Sequence, residues 1–146
     1  MTAFPKLNRQ KSRIDETHPR WSQLPPDIRA LVGNGCGSKG GWLRPPNFMF
    51  EASCDQHDFY YLRGATEGDR IAADDAFLRA MLRDAALTGW WVRWLNRRIA
   101  RTYAWAVSKY GKSHFSYREF PMTWDDLNAH VFVQRKLTAY RENRDA

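Results

Sequence analysis

The chain reads as an all-α domain, on three observations. Apolar residues recur at three- and four-residue spacing. Pro, Gly and Thr-x-x-Asp punctuation cuts the chain into pieces of helical length. No stretch shows strong strand alternation, and there is no internal repeat or heptad array. At 146 residues the chain fits one core and is too short for two comfortable ones.

Each element follows from its punctuation. Residues 1–20 are rich in Pro, Ser, Asn and alternating charge without periodicity, so they read as a flexible basic arm ahead of a single domain over 21–146. Pro25-Pro26 suits a first helical turn, and the short helix it opens stops before Gly33. A glycine-rich loop runs through Trp42 to Pro45-Pro46, and a long helix then spans about 47–63, stopping at Gly64. Thr66-x-x-Asp69 resembles a capping box and opens a second long helix over about 67–87. Gly89 interrupts the pattern. A third helix is expected over 90–110 with Gly111 as its stop, presenting Val92, Leu95, Ile99, Tyr103 and Ala106 to the core. Thr123-Trp124-Asp125-Asp126 caps a last helix to about residue 141.

Charge narrows the partners. Lys and Arg outnumber Asp and Glu by 23 to 16, a formal net charge of +7, which favours an anionic membrane surface or nucleic acid. No run approaches the roughly 18 apolar residues of a membrane span. The first twenty residues contain no apolar h-region, so no cleavable signal is visible; the expectation is synthesis in the cytoplasm, with action outside only after non-classical export or lysis.

The richest stretch is Cys54-Asp55-Gln56-His57-Asp58, with Tyr61 four residues after the histidine. On a helix, Cys54, His57, Asp58 and Tyr61 share a side. Upstream lies Asn34-Gly35-Cys36-Gly37-Ser38-Lys39-Gly40-Gly41, a loop whose glycines let backbone carbonyls turn inward around a cation. Downstream lies Arg70-Ile71-Ala72-Ala73-Asp74-Asp75-Ala76-Phe77. Together, over about residues 32–84, these resemble the active-site helix, calcium loop and second helix of the phospholipase A2 family, most closely its small prokaryotic branch.

The resemblance implies a core of two antiparallel long helices, a Gly-rich calcium loop and additional C-terminal helices. It implies His57 as general base on water and Asp58 as a Ca2+ ligand, joined by the carbonyls of Gly35, Gly37 and either Lys39 or Gly40. Asp74 would hold the other ring nitrogen of His57, with Tyr61 supporting that carboxylate. Asp75 competes for the role, and the Ala-Asp-x-x-Phe pattern favours Asp74. The family ties its calcium loop to its active-site helix by a disulfide, here Cys36 to Cys54, worth roughly 3 kcal/mol by chain entropy. Two reduced thiols are the other reading. Zinc on Cys36, Cys54 and His57 lacks the paired spacing of known sites. The loop is one residue longer than the family pattern, and the connection from His57 to Asp74 leaves little room for a β-hairpin.

The chemistry is coherent. A neutral imidazole can take a proton from water, while a hard cation on oxygen ligands stabilises the developing oxyanion. A site with one protein carboxylate should bind calcium only at roughly 10⁻⁴ to 10⁻³ M, as extracellular modules do.

Residues 85–118 contain no acidic residue and carry Arg93, Arg97 and Arg101 at four-residue intervals among Trp90, Trp91, Trp94 and Trp105. That helix is a candidate membrane-contact element, the alternatives being core packing of its Trp residues or nucleic-acid binding. The expected function is calcium-dependent hydrolysis of the sn-2 ester of glycerophospholipids at a membrane surface. The alternative is a catalytically inactive phospholipase-like basic module binding membrane or nucleic acid. A metal-dependent nuclease would want more carboxylates or His near the metal.

Overall fold

The computed structural model describes residues 12–33 and 47–145. Among them the helices are α1 (Pro26–Val32), α2 (Asn47–Arg63), α3 (Glu67–Ala86), α4 (Trp90–Tyr110) and α5 (Trp124–Asp145), with short 3-10 turns at Trp21–Gln23 and Gly111–His114. No strand occurs among the described residues; the one β-bridge pairs Ala65 with Tyr117. The all-α expectation holds.

Local chemistry explains the boundaries. Thr66 Oγ1 accepts from the Asp69 amide while the Asp69 carboxylate accepts from the Thr66 amide at 3.1 Å, which satisfies orphan donors at the start of α3. Thr123 and Asp126 repeat the arrangement ahead of α5. The corner between α3 and α4 closes through buried Asn96, whose amide donates to Thr88 Oγ1 while that hydroxyl donates to the Ala85 carbonyl.

α2 is the central element, and α3 runs antiparallel beside it. Ser53 near the start of α2 meets Asp84 near the end of α3, while His57 and Tyr61 meet Asp74. One side of α2 contributes Phe50 and Cys54 to a core with Phe77, Met81, Ala85 and Ala100. Its opposite side places Phe59 in a second core with Leu24, Val32, Met122, Leu127 and Val131. Burying large side chains at about 1.5–3 kcal/mol each is what makes α2 the spine of the fold.

The α2–α3 turn is held by a segment far away in sequence. The Ser116 amide donates to the Tyr61 carbonyl, the Ala65 amide to the Ser116 carbonyl, and the Arg118 amide to the Ala65 carbonyl. Gly64 sits at φ +68°, and a Cβ there would lie 2.0 Å from the Ser116 carbonyl oxygen, so only glycine fits. Ala65 is held at φ 128°, a conformation L residues rarely adopt, by its two backbone bonds to that segment.

One expectation needs correction. On α4, Ile99 and Tyr103 pack against the core, but Leu95 is exposed and the fully buried positions are Asn96, Ala100 and Ala104. The buried stripe of α4 is Asn96, Ala100 and Ala104, turned relative to the bulky apolar positions. Within the stretch expected to be a flexible arm, three described residues touch the domain. Ser12 donates to Asp69 at 2.5 Å, Arg13 donates to the Glu119 carbonyl, and Pro19 is fully buried.

Candidate active site

The site is built on the facing sides of α2 and α3. His57 Nε2 lies 3.0 Å from Asp74 Oδ1, and the Tyr61 hydroxyl donates to that same oxygen at 2.7 Å. His57, Tyr61 and Asp74 are all buried. The imidazole is clasped between two rings, Tyr61 at 4.1 Å and Phe77 at 4.5 Å between centroids. Helical spacing sets this up: Tyr61 follows His57 by four residues and Phe77 follows Asp74 by three.

A carboxylate beside Nε2 favours the tautomer with its proton on Nε2. The lone pair is then on Nδ1, which makes no hydrogen bond among the described residues. An imidazole fixed in this way can accept a proton at Nδ1.

The other carboxylate oxygen is held by a residue that no sequence motif singles out. Arg70 Nη1 donates to Asp74 Oδ2 at 2.7 Å, and its Nε and Nη2 grip both oxygens of Glu67 at 2.9 Å. Arg70 is only 3% exposed, so its charge is stabilised by these two carboxylates rather than by water. The chain of charges continues to Lys112, 3.6 Å from Glu67, and Tyr117 donates to Glu67 as well. The hydrogen bond from Arg70 holds the Glu67 carboxyl down at about 2, with Tyr117 and Lys112 adding to it against partial burial. Burial, reinforced by the Asp74 carboxylate, pushes the Tyr61 phenol well above its ordinary value, so it remains a donor at physiological pH. The available signal for Arg70 was its four-residue spacing from Asp74, a pattern that usually marks an exposed pair.

A glycine completes the arrangement. A Cβ on Gly111 would lie 2.4 Å from the Tyr61 hydroxyl oxygen, so the bare backbone at the end of α4 makes room for that hydroxyl.

Of the two candidate aspartates, Asp74 faces His57, while Asp75 is exposed. Asp58 is half-buried on α2, one position after His57. Gly35, Gly37, Lys39 and Gly40, with Cys36, lie outside the described residues. The chain before that stretch reaches this part of α2 at Gly33. Gly33 backs onto Asp55 so closely that a Cβ would lie 2.5 Å from the carboxylate, and Asp55 and Asp58 are three apart on one side of the helix. Cys54 is buried on the same helix, one turn before Asp58. Among the described residues no three His, Cys, Asp or Glu side chains converge as a metal-binding group.

No protein-family model, curated protein or solved structure matches the chain.

Proposed function

We propose that the protein is a calcium-dependent phospholipase A2 that hydrolyses the sn-2 ester of glycerophospholipids. The observation that carries the reading is the buried cluster: His57 Nε2 on an Asp74 carboxylate that also accepts from Tyr61 and Arg70. A histidine serving only the core has no need of so complete a support, while a general base needs its orientation and tautomer fixed.

His57 takes a proton from water at Nδ1 as the water oxygen bonds to the ester carbonyl carbon. The Asp74 carboxylate orients the ring and stabilises the imidazolium that forms, and Arg70 keeps that carboxylate in place. When the tetrahedral species collapses, the bond to the glycerol oxygen breaks. His57 returns its proton to that leaving oxygen, giving a lysophospholipid and a fatty acid.

The donor chemistry fits calcium. Asp58 offers a hard carboxylate oxygen beside His57, and the remaining ligands would be oxygens too: the backbone carbonyls of Gly35, Gly37 and Lys39 or Gly40. A bridge from Cys54 to Cys36, the other cysteine of the chain, would anchor that loop to α2. When bound, calcium supplies a Lewis acid for the carbonyl and a counter-charge for the oxyanion.

The test is fatty-acid release from labelled phospholipid vesicles by wild type and His57→Ala, in calcium and in chelator. Wild type with calcium should release fatty acid, and the variant should fall by about 10²- to 10⁴-fold while its helical circular dichroism is retained. Equal release by His57→Ala removes the residue from the mechanism, and equal release in chelator removes the metal.

A further inference from the structure

The surface of α4 carries an assignment of its own. Trp90, Trp94, Arg97, Arg101 and Trp105 follow one another at four- and three-residue spacing, on the side turned away from buried Ala100 and Ala104. Trp90 and Trp94 are 83% and 60% exposed and, with Arg93, Arg97, Arg98 and Arg101, line a shallow groove of about 460 Å³. Leu87 and Trp91 stand out beside it at the α3–α4 corner, 88% and 67% exposed. A soluble surface seldom gathers so many large apolar side chains in one place without a partner.

The composition selects the partner. No acidic residue occurs from 85 to 118, so the face suits an anion. Indole rings favour a boundary that is apolar on one side and wet on the other. Leu87 and half-exposed Leu95 have no ring to stack on a nucleic-acid base, whereas both suit the edge of a hydrocarbon layer. We propose that this face docks the protein onto an anionic phospholipid bilayer. Leu87, Trp90, Trp91 and Trp94 sit at the headgroup boundary, and Arg97, Arg98 and Arg101 lie on lipid phosphates.

The position suits the chemistry. Because α3 runs antiparallel to α2, the corner lies at the end where α2 begins. Asp84, three residues before Leu87, receives the Ser53 hydroxyl, and Ser53 is one helical turn from His57. The inference thus deepens the phospholipase reading by naming an anionic lipid class, and its biological sense rests on that reading. Binding itself is measured separately from hydrolysis.

The experiment is vesicle co-sedimentation in chelator, using phosphatidylcholine vesicles and vesicles of phosphatidylcholine mixed equally with phosphatidylglycerol. Wild type should prefer the anionic vesicles, and added salt should weaken binding. The triple substitution R97Q/R98Q/R101Q should lower that partition by about a hundredfold, and R97K/R98K/R101K should restore most of it. Trp90→Ala with Trp94→Ala should weaken binding to both vesicle types. Equal binding to the two vesicles, or an unchanged partition in the glutamine variant, overturns the proposal. So does a single-stranded oligonucleotide that binds more tightly than vesicles and loses affinity in the same variant. Vesicle binding without calcium-dependent fatty-acid release would leave the docking face standing and sink the phospholipase reading. Release from dispersed short-chain lipid without anionic preference would do the reverse.

Discussion

The α2–α3 pair and the outer surface of α4 use charge and aromatic side chains in opposite ways. Between α2 and α3, Asp74 and Arg70 are almost wholly buried, each is partnered, and Tyr61 and Phe77 close around one imidazole. On α4, Arg97, Arg98 and Arg101 face solvent, and four Trp of that helix are exposed. Buried charges must be paired because desolvation is costly, and that requirement fixes geometry. Exposed charges of one sign fix nothing internally and act on whatever approaches. One region holds a ring still, while the other leaves its rings and charges to solvent.

The contrast breaks most severely at Asp74. Asp74→Asn leaves Arg70 with one carboxylate fewer and gives His57 Nε2 a neutral partner that can also donate. Activity should fall by about 10²- to 10⁴-fold, and loss of one partner of a buried pair should lower Tm by roughly 10 °C. Calorimetry and fatty-acid release read the two effects. An active, equally stable variant would show the carboxylate to be idle.

Core and surface should separate just as clearly. Met81→Ala empties a fully buried position and should cost about 2–5 kcal/mol in chemical denaturation. Trp94→Ala should change stability by about 0.5 kcal/mol or less, since its ring is largely exposed. A large loss from Trp94→Ala would mean that α4 is packed rather than presented.

A finer test concerns Gly111 and Tyr61. Gly111→Ala should destabilise by about 1–3 kcal/mol through its collision with the Tyr61 hydroxyl. In a Tyr61→Phe background that hydroxyl is gone, so the same change should cost about 1 kcal/mol less. Strict additivity would place the strain elsewhere.

Acid should reveal Glu67. Its carboxyl lies near 2 in the folded protein against an ordinary 4.5, so its contribution to stability is present above about 4.5 and is lost as pH falls toward about 2. The Tm difference between wild type and Glu67→Gln should be seen at neutral pH and shrink across that window. Partial exposure keeps it at about 1 kcal/mol or less.

The helices were legible because their ends are chemical: Pro26, Thr66 with Asp69, Gly89, Gly111, and Thr123 with Asp126. The meeting of His57, Tyr61 and Asp74 was legible from helical spacing and from the family resemblance together. Arg70 was not, because an Arg four residues before an Asp reads the same whether exposed or buried. The need for glycine at 111 was equally hidden, since it arises from a side chain fifty positions earlier. The strap at 115–118 that holds Gly64 and Ala65 has no periodic signature either. On α4 the bulky apolar positions suggested the seam, whereas the positions actually buried are Asn96, Ala100 and Ala104.

We propose that His57, steadied by Asp74 and assisted by calcium, cleaves one particular ester. A phosphatidylglycerol carrying different labelled acyl chains at its two positions tests it most directly. With calcium, wild type should liberate the sn-2 chain alone, and Asp74→Asn should liberate almost none. Release of the sn-1 chain, or of either chain at the same rate in chelator, would contradict it.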